Sequence, residues 1–158
     1  MSKLIVLCGI PGSGKSTYAN KISNELWNQG EKTAIISTDF IREYLFGNAS
    51  CQLFGNKVFT EAYKQIEKYL DEGYCVIFDA MNLRPKDRHK LIEVAKNHNV
   101  DNITAIHFST PVEVCIERQL QRERQVPEKV IRSKQGSLVI PSINEGFDAV
   151  LIKDYISD

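Results

Sequence analysis

The residues best suited to chemistry in this sequence lie near its amino terminus, in the run GIPGSGKST over residues 9–17. This run fits the pattern G-x-x-x-x-G-K-[ST], in which glycines let the backbone turn tightly and approach an anion closely. The apolar stretch over 3–8 that precedes it is predicted to be a buried strand, and a helical pattern over 18–29 follows it. Strand, loop and helix in this order are the context that this phosphate-binding motif, the P-loop, requires.

The chemistry predicted for this loop is the binding of ATP as phosphoryl donor, with Mg²⁺ as cofactor. Backbone N–H groups of such a loop form a concave nest at the positive end of the following helix. Lys15 is predicted to reach the β- and γ-phosphates, and the Ser16 hydroxyl to hold Mg²⁺. An ordinary glycine-rich turn would explain the glycines, but it would not explain a Lys-Ser pair at this spacing. The predicted nucleotide-binding residues of the loop are Gly12, Ser13, Gly14, Lys15, Ser16 and Thr17.

The elements that must position this loop alternate along the chain. Apolar runs predict further strands over 33–36, 74–78, 103–108 and 149–152. Helical spacing and helix-starting prolines predict helices over 40–46, 58–70, 85–97, 111–121 and 127–137. Residues 47–56 have the composition of a loop. This alternation predicts an α/β fold, with a parallel sheet of about five strands covered by helices on both faces in three layers. We expect one domain over 1–158.

Three polar segments follow the predicted strands at one rim of the sheet: the P-loop, residues 37–39 and residues 79–82. Asp39 is therefore predicted to lie opposite the P-loop, where a carboxylate could orient an attacking hydroxyl and accept its proton. The same residue type is a favoured helix N-cap, and Ser37 or Thr38 could cap the helix instead. The spacing leaves both roles of Asp39 open.

Further charged residues on this rim have two possible interpretations. Arg42 lies one helical turn after Asp39 and could bind an acceptor phosphate, or it could be a solvated arginine paired with Glu43 or Asp79. Asp79 could contact the Mg²⁺ shell or fix an arginine. Because burying an unpaired carboxylate is costly, the Asp79 side chain requires a partner in either case. Other possible acceptor contacts, each of which could equally be a surface residue, are Asn82, Arg84 and Arg88.

A group of arginines flanks the polar break between the last two predicted helices. Arg118 and Arg122 are four residues apart and are predicted to share a helix face, and Arg124 follows them. An arginine-bearing lid over 118–137 could close over ATP, stabilise charge on the transferred phosphoryl group and exclude water. The alternative is a helix end with solvated charges, since glutamates are adjacent.

The composition limits the classes of partner. The 158 residues include 20 basic and 20 acidic side chains, so the net charge is zero. Strong non-specific nucleic-acid binders are usually basic, so a nucleic-acid substrate would have to be held by a local patch. No stretch approaches the 18 apolar residues of a membrane span, and no membrane partner is expected. Four cysteines without C-x-x-C spacing predict a reducing, cytoplasmic setting: Cys8, Cys51, Cys75 and Cys115.

Together these motifs resemble the 5′-hydroxyl kinase domain of phage polynucleotide kinase and its relatives. They are GIPGSGKST over 9–17, S-T-D-x-x-R over 37–42, D-A-M-N-L over 79–83 and R-x-x-x-R before V-P over 118–127. The closing stretch over 141–150, which contains E-G-F-D, is also typical of this group. The resemblance covers essentially the whole chain. The P-loop is shared with many kinases, whereas the D-x-x-R motif and the arginine lid are more discriminating together.

For the acceptor side, the resemblance implies that Asp39 is the general base and that Arg42 contacts the acceptor phosphate. It also implies that Asp79 supports the acceptor site, with Asn82 on the loop that follows. That loop departs from the family pattern, because it is one residue longer than in the phage enzyme. No phosphatase domain follows, so we expect a kinase of this kind to add phosphate only or to act beside a separate partner.

For the donor side, the resemblance implies that Lys15, Arg122 and Arg118 stabilise the transferring phosphoryl group. The expected function is transfer of the γ-phosphate of ATP to the 5′-hydroxyl of DNA or RNA. Relatives with this layout phosphorylate aminoacyl-tRNA, nucleotide sugars or small metabolites, so a kinase of such a molecule is the second hypothesis. A nucleotide-binding switch ATPase is the third, and a base at Asp39 with an arginine lid in the same chain argues against it.

Overall fold

Strands and helices alternate along the chain in the computed structural model, which describes residues 2–48, 55–123 and 125–155. Within these ranges the strands are β1 (Lys3–Cys8), β2 (Thr33–Ser37), β3 (Cys75–Asp79), β4 (Asn102–Phe108) and β5 (Ala149–Lys153). The helices are α1 (Lys15–Asn28), α2 (Thr38–Phe46), α3 (Gly55–Asp71), α4 (Pro85–Asn97), α5 (Val112–Leu120) and α6 (Glu128–Ser137). A short 3₁₀ helix, Ile143–Glu145, precedes β5.

The described strands form one parallel sheet with the spatial order β2-β3-β1-β4-β5. Its register aligns Leu7 of β1 and Ser37 of β2 with the same residue of β3, Asp79. The carboxyl ends of these three strands therefore meet at one rim, where each is followed by a polar segment. The predicted α/β fold, a parallel sheet with helices on both sides, is confirmed.

Separate clusters of buried side chains fix helices to the two faces of this sheet. Successive residues of a strand point to opposite faces, so Val6 and Leu7 of β1 belong to different clusters. The larger cluster joins α3 and α4 to the sheet and includes Val58, Ala62, Ile66, Leu91 and Ala95. The cluster on the other face contains Ala19 of α1. A third cluster packs α5 and α6 against the loop ends through Ile10, Leu83, Cys115, Ile116 and Ile131.

Two helix boundaries differ from the prediction. Helix α3 begins at Gly55, inside the region 47–56 that was expected to be a loop, and residues 49–54 of that region lie outside the described ranges. Helix α5 ends at Leu120, so Arg122 lies in the turn beyond it. The prediction that Arg122 shares a helix face with Arg118 is therefore wrong.

The cysteines that the structure describes are buried in the fold. Cys8, Cys75 and Cys115 are free thiols, and the first two lie in strands as predicted, where a thiol packs as a small apolar group. Cys51 lies outside the described residues. None of the helices in the described ranges is long and apolar enough to cross a bilayer.

Candidate active site

The P-loop takes its shape from two glycines with left-handed backbone conformations. Gly12 has φ 85° and Gly14 has φ 96°, values that residues with a side chain rarely adopt. Gly12 also packs so closely on α5 that an added Cβ would lie 2.7 Å from the carbonyl oxygen of Cys115. On the inner side, the Thr110 hydroxyl donates to the carbonyl of Ser13 at 2.9 Å. Contacts with Cys115 and Thr110 therefore hold the loop in the concave shape that the motif predicts for phosphate binding.

Lys15 lies in the first turn of α1 with its side chain buried in this loop. Its Nζ donates to the carbonyl oxygen of Ile10 at 3.1 Å. Burial lowers the pKa of the Lys15 ammonium, while the carboxylates of Asp79 and Asp39 act in the opposite direction. The ammonium group thus lies near both rim carboxylates, at the position from which a P-loop lysine reaches a terminal phosphate.

Ser16 and Asp79 are joined by a short hydrogen bond. The Ser16 hydroxyl donates to Oδ2 of Asp79 at 2.6 Å, which joins the first turn of α1 to the end of β3. Burial raises the pKa of the Asp79 carboxyl, and the Ser16 hydrogen bond and the Lys15 charge oppose that rise. The buried carboxylate therefore has the partner that the sequence analysis required, and this partner is the hydroxyl predicted to hold Mg²⁺.

The donor set at Ser16 and Asp79 fits Mg²⁺, because both supply hard oxygen atoms. No group of three His, Cys, Asp or Glu side chains arranged to hold a metal occurs among the described residues. Mg²⁺ prefers one or two protein oxygens and takes its other ligands from phosphates and water. When bound, the ion would neutralise charge on the phosphate oxygens of the nucleotide.

The side of the cleft that is predicted to hold the acceptor is formed by α2. The Ser37 side chain accepts a hydrogen bond from the backbone N–H of Phe40, so Ser37 is the N-cap of this helix. The Asp39 carboxylate is therefore not needed as the cap, and Asp39 lies in the cleft lining. The structure thus excludes the capping role of Asp39, and its role as a general base stays a prediction.

Arg42 contacts Asp39 and is largely buried. Its Nη1 lies 3.3 Å from Oδ1 of Asp39, and only 12% of the Arg42 side chain is exposed. The Nε atom of Arg42 is buried without a hydrogen-bond partner. The prediction of a solvated Arg42 paired with Glu43 or Asp79 is thus wrong, and the guanidinium retains a donor directed at no group of the described chain.

The loop after β3 and the start of α4 have mainly structural contacts. Asn82 adopts φ 49°, and its Nδ2 donates to the carbonyl oxygen of Leu7 at 2.7 Å. Asn82 therefore bridges the ends of β3 and β1, although it also lies in the cleft lining. Arg84 is exposed and pairs with Asp87 at 3.3 Å. The substrate roles of these residues stay predictions.

Arg88 is fully buried, so its interpretation as either an acceptor contact or a surface residue is wrong. Its Nε and Nη2 donate to the two carboxylate oxygens of Glu145 at 2.8 and 2.9 Å. Its Nη1 donates to the carbonyl oxygens of Asn82 and Val139 at 2.8 and 3.0 Å. Arg88 thus anchors the segment before β5 to the loop after β3. This partnership joins residues 57 positions apart, and no local pattern in the sequence indicates it.

The arginines beyond the P-loop differ in what they contact. Arg118 donates from Nη1 to the carbonyl oxygen of Gly12 at 3.0 Å, and its guanidinium lies 5.6 Å from the ring centroid of Tyr155. Arg122 lies in the cleft lining beyond the end of α5. Arg124 lies outside the described residues. That the segment 118–137 closes over a nucleotide stays a prediction. Tyr155 had no signal in the sequence, because it follows the last strand without a motif.

One cleft of about 1210 Å³ brings the predicted site residues together. All twelve of them line it: Gly12, Ser13, Gly14, Lys15, Ser16, Thr17, Asp39, Arg42, Asp79, Asn82, Arg118 and Arg122. Phe59 of α3 also lines the cleft, while it packs, partly buried, against the larger core cluster. Its volume is above the range of about 300–1,000 Å³ that is usual for ligand pockets, which leaves room for a nucleotide and a second molecule.

A parallel sheet of this strand order, with a P-loop after β1 and a carboxylate after β2, defines the P-loop kinase class. Residues 4–139 match the sequence profile of a family described as an AAA domain, AAA_33. The chain belongs to this family.

Curated proteins similar to the chain are kinases with different acceptors. L-seryl-tRNA(Sec) kinase of Methanococcus maripaludis is 25% identical over 154 residues, which cover 92% of this chain and 56% of that protein. Adenylyl-sulfate kinase of Thermodesulfovibrio yellowstonii is 25% identical over 134 residues, covering 84% of this chain and 64% of that protein. The chain thus spans little more than half the length of these relatives.

Solved structures share the fold. Kti12 of Chaetomium thermophilum, in complex with ADP-AlF3, superposes with a TM-score of 0.77 at 20% identity, covering 98% of this chain and 90% of that one. A chain of the Pnkp1/Rnl/Hen1 RNA repair complex superposes with a TM-score of 0.72 at 23% identity, covering 87% of this chain and 44% of that one. At these identities the likeness concerns the fold.

Proposed function

We propose that this chain is an ATP-dependent kinase that phosphorylates the 5′-hydroxyl of a polynucleotide. The observation that carries the proposal is the arrangement of α2. Ser37 caps the helix, and Asp39 and Arg42 lie together in the lining of the cleft that contains the P-loop. A carboxylate beside a buried guanidinium suits an acceptor that presents a hydroxyl next to a phosphate, as the 5′ end of a nucleic acid does.

The proposed reaction is an in-line phosphoryl transfer. The acceptor hydroxyl oxygen bonds to the γ-phosphorus, the bond from that phosphorus to the β–γ bridging oxygen breaks, and the hydroxyl proton passes to Asp39. Lys15 and Arg122 offset negative charge on the transferring group. Ser16, with Asp79 beside it, would hold Mg²⁺. Arg118 is proposed to hold the nucleotide beside the P-loop.

Two similarities support a nucleic-acid acceptor. One solved structure with the same fold is part of a complex named for RNA repair, and one curated relative is named for a tRNA-linked substrate. A small-molecule acceptor is the second candidate, favoured by the zero net charge and by the similarity to adenylyl-sulfate kinase.

Transfer of labelled γ-phosphate separates these candidates. The protein is incubated with labelled ATP, Mg²⁺ and either 5′-hydroxyl oligonucleotides of DNA and RNA or a panel of hydroxyl metabolites and nucleotide sugars. We expect label on the oligonucleotides and none on control strands that carry a 5′-phosphate or lack the 5′-hydroxyl. Label on a metabolite with none on DNA or RNA would refute the polynucleotide proposal and support the small-molecule one.

The role of Asp39 is tested by Asp39→Asn. We expect transfer to fall by about 10²–10⁴-fold, the usual contribution of a general base, while ATP affinity is kept. Glu43→Gln is the matched control, because Glu43 is an exposed carboxylate on the same helix. Near wild-type transfer by Asp39→Asn would refute the proposed base.

A further inference from the structure

Helix α5 carries a buried glutamine, Gln119, in its last turn. The inner face of this helix consists of Cys115, Ile116 and Gln119, at the spacing of an apolar stripe. Gln119 is 2% exposed, whereas its neighbours Arg118 and Leu120 are both exposed. Burial separates the polar atoms of an amide from water, so such a side chain requires hydrogen-bond partners inside the protein.

The partner of Gln119 lies at the far end of the turn that joins α5 to α6. Oε1 of Gln119 accepts a hydrogen bond from the backbone N–H of Val126 at 3.1 Å. In the opposite direction, Nε2 of Gln125 donates to the carbonyl oxygen of Leu120 at 3.0 Å. Two side-chain amides, one from each end, therefore hold the α5–α6 turn closed.

This turn carries Arg122, whose backbone is also fixed to Gln119. The N–H of Arg122 donates to the carbonyl oxygen of Gln119 at 3.2 Å. Arg122 and Gln125 line the main cleft, but Gln119 does not. Any effect of Gln119 on the reaction must therefore pass through the α5–α6 turn.

The second polar atom of the Gln119 amide has no use in stabilising the fold. Nε2 of Gln119 is buried and donates to no group of the described chain. The Val126 N–H requires an acceptor, so only the amide oxygen can face it. A leucine at this position would fill a similar space without an unsatisfied donor, so stability alone favours an apolar residue. The amide thus indicates a role other than packing.

We infer that Gln119 is the positioning residue for Arg122. Its side chain holds the α5–α6 turn to the end of α5, so the guanidinium is in place before the phosphoryl group is transferred. Such preorganisation matters because a displacement of about 1 Å can lower a rate roughly 10²-fold. The inference rests on the proposed function and adds to it a residue that acts without contacting the substrate.

The first test is Gln119→Leu in single-turnover transfer from labelled ATP. We expect the rate to fall about 10–100-fold, while ATP affinity measured by calorimetry is unchanged. The matched control is Gln121→Leu, the same substitution at an exposed position of the same turn, which should keep the wild-type rate. A wild-type rate in Gln119→Leu would overturn the inference.

A double-mutant cycle separates positioning from a general structural effect. If Gln119 acts through Arg122, adding Gln119→Leu to Arg122→Ala should cause no further loss of rate. A loss by the same factor in both backgrounds would assign Gln119 a structural role and contradict the inference.

The conservative variant Gln119→Glu keeps an acceptor oxygen for the Val126 N–H. It should transfer phosphate faster than Gln119→Leu, although it should unfold at a lower urea concentration because a buried carboxyl group is costly. A merely structural role predicts that the rates follow the stabilities, so the opposite order of rates would also contradict the inference.

Hydrogen exchange of the Val126 amide, measured by NMR, tests the hydrogen bond independently of any acceptor. Exchange should be faster in Gln119→Leu and unchanged in Gln121→Leu, and equal exchange in both variants would overturn the inference. If the wild type labels no 5′-hydroxyl, the proposed function fails. The double-mutant cycle is then measured on whichever metabolite accepts the label, or on transfer to water, and it still decides the role of Gln119.

Discussion

Replacing Glu145 by alanine is expected to destabilise the domain strongly, although Glu145 is far from the P-loop in sequence. The substitution removes both carboxylate acceptors of the Arg88 guanidinium, which is fully buried. It leaves that cation with only the carbonyl oxygens of Asn82 and Val139, both bound to Nη1. The substitution also removes the hydrogen bond from the Ser142 backbone to Glu145 that caps the 3₁₀ helix.

The expected loss of stability follows from the contacts that the Arg88 guanidinium keeps after the substitution. Removing one partner of a buried ion pair costs about 3–5 kcal/mol, because the other charge stays buried without compensation. The loss of the cap adds about 0.5–2 kcal/mol. Some water will reach the guanidinium, so we expect the free energy of unfolding to fall by about 4 kcal/mol in total. For a chain of this size, that corresponds to a decrease in Tm of roughly 8–16 °C.

The assay is urea unfolding monitored by circular dichroism, with Tm measured in parallel. Glu113→Ala is the control, because it removes the exposed ion pair between Glu113 and Arg132 and should leave the unfolding midpoint unchanged. The double variant Arg88→Met/Glu145→Leu should lose less stability than Glu145→Ala, since it removes both charges together. A loss below about 1 kcal/mol in Glu145→Ala, or a larger loss in the double variant, would refute the reasoning.

Three further predictions concern the P-loop, the lid and the core. Gly12→Ala should lower ATP affinity at least tenfold, as measured by calorimetry, because the added Cβ would lie 2.7 Å from the carbonyl oxygen of Cys115. The control is Gly30→Ala, because Gly30 has nearly the same φ but open space around it. Arg122→Ala should lower the rate of phosphoryl transfer in single-turnover assays with little effect on ATP affinity, and an unchanged rate would return Arg122 to a surface role. Burial lowers the pKa of His107 below the ordinary histidine value of 6.5. As the pH falls, His107 is therefore protonated more readily in the unfolded chain than in the folded one. Stability should therefore decrease as the pH falls below that value, and His107→Gln should reduce this decrease in urea midpoints measured between pH 7.5 and 5.5.

The strands and the P-loop were predictable because their signals are local. A short apolar run such as β3, closed by Asp79, defines a buried strand without reference to the rest of the chain. The parallel arrangement then follows from the alternation of strands and helices, and it brings Asp39 and Asp79 to one rim.

The contacts that depend on tertiary structure were not predictable in this way. Ser37, Thr38 and Asp39 are all good caps, and only the extended backbone of Ser37, with φ −118° and ψ 127°, selects it. The buried pair of Arg88 and Glu145 depends on how the segment before β5 packs, which no local spacing encodes.

The cap of α2 has a consequence for attempts to change the proposed acceptor in the laboratory. Ser37 secures the helix start, and Ile41 secures its inner face by being buried. The side chains at positions 40, 43 and 44 are exposed, so a library that randomises them and keeps Asp39 leaves both the helix anchors and the proposed base in place. Selection on such a library would explore new acceptors at little cost in expression, because these exposed positions beside the proposed acceptor site differ from those that hold the fold together.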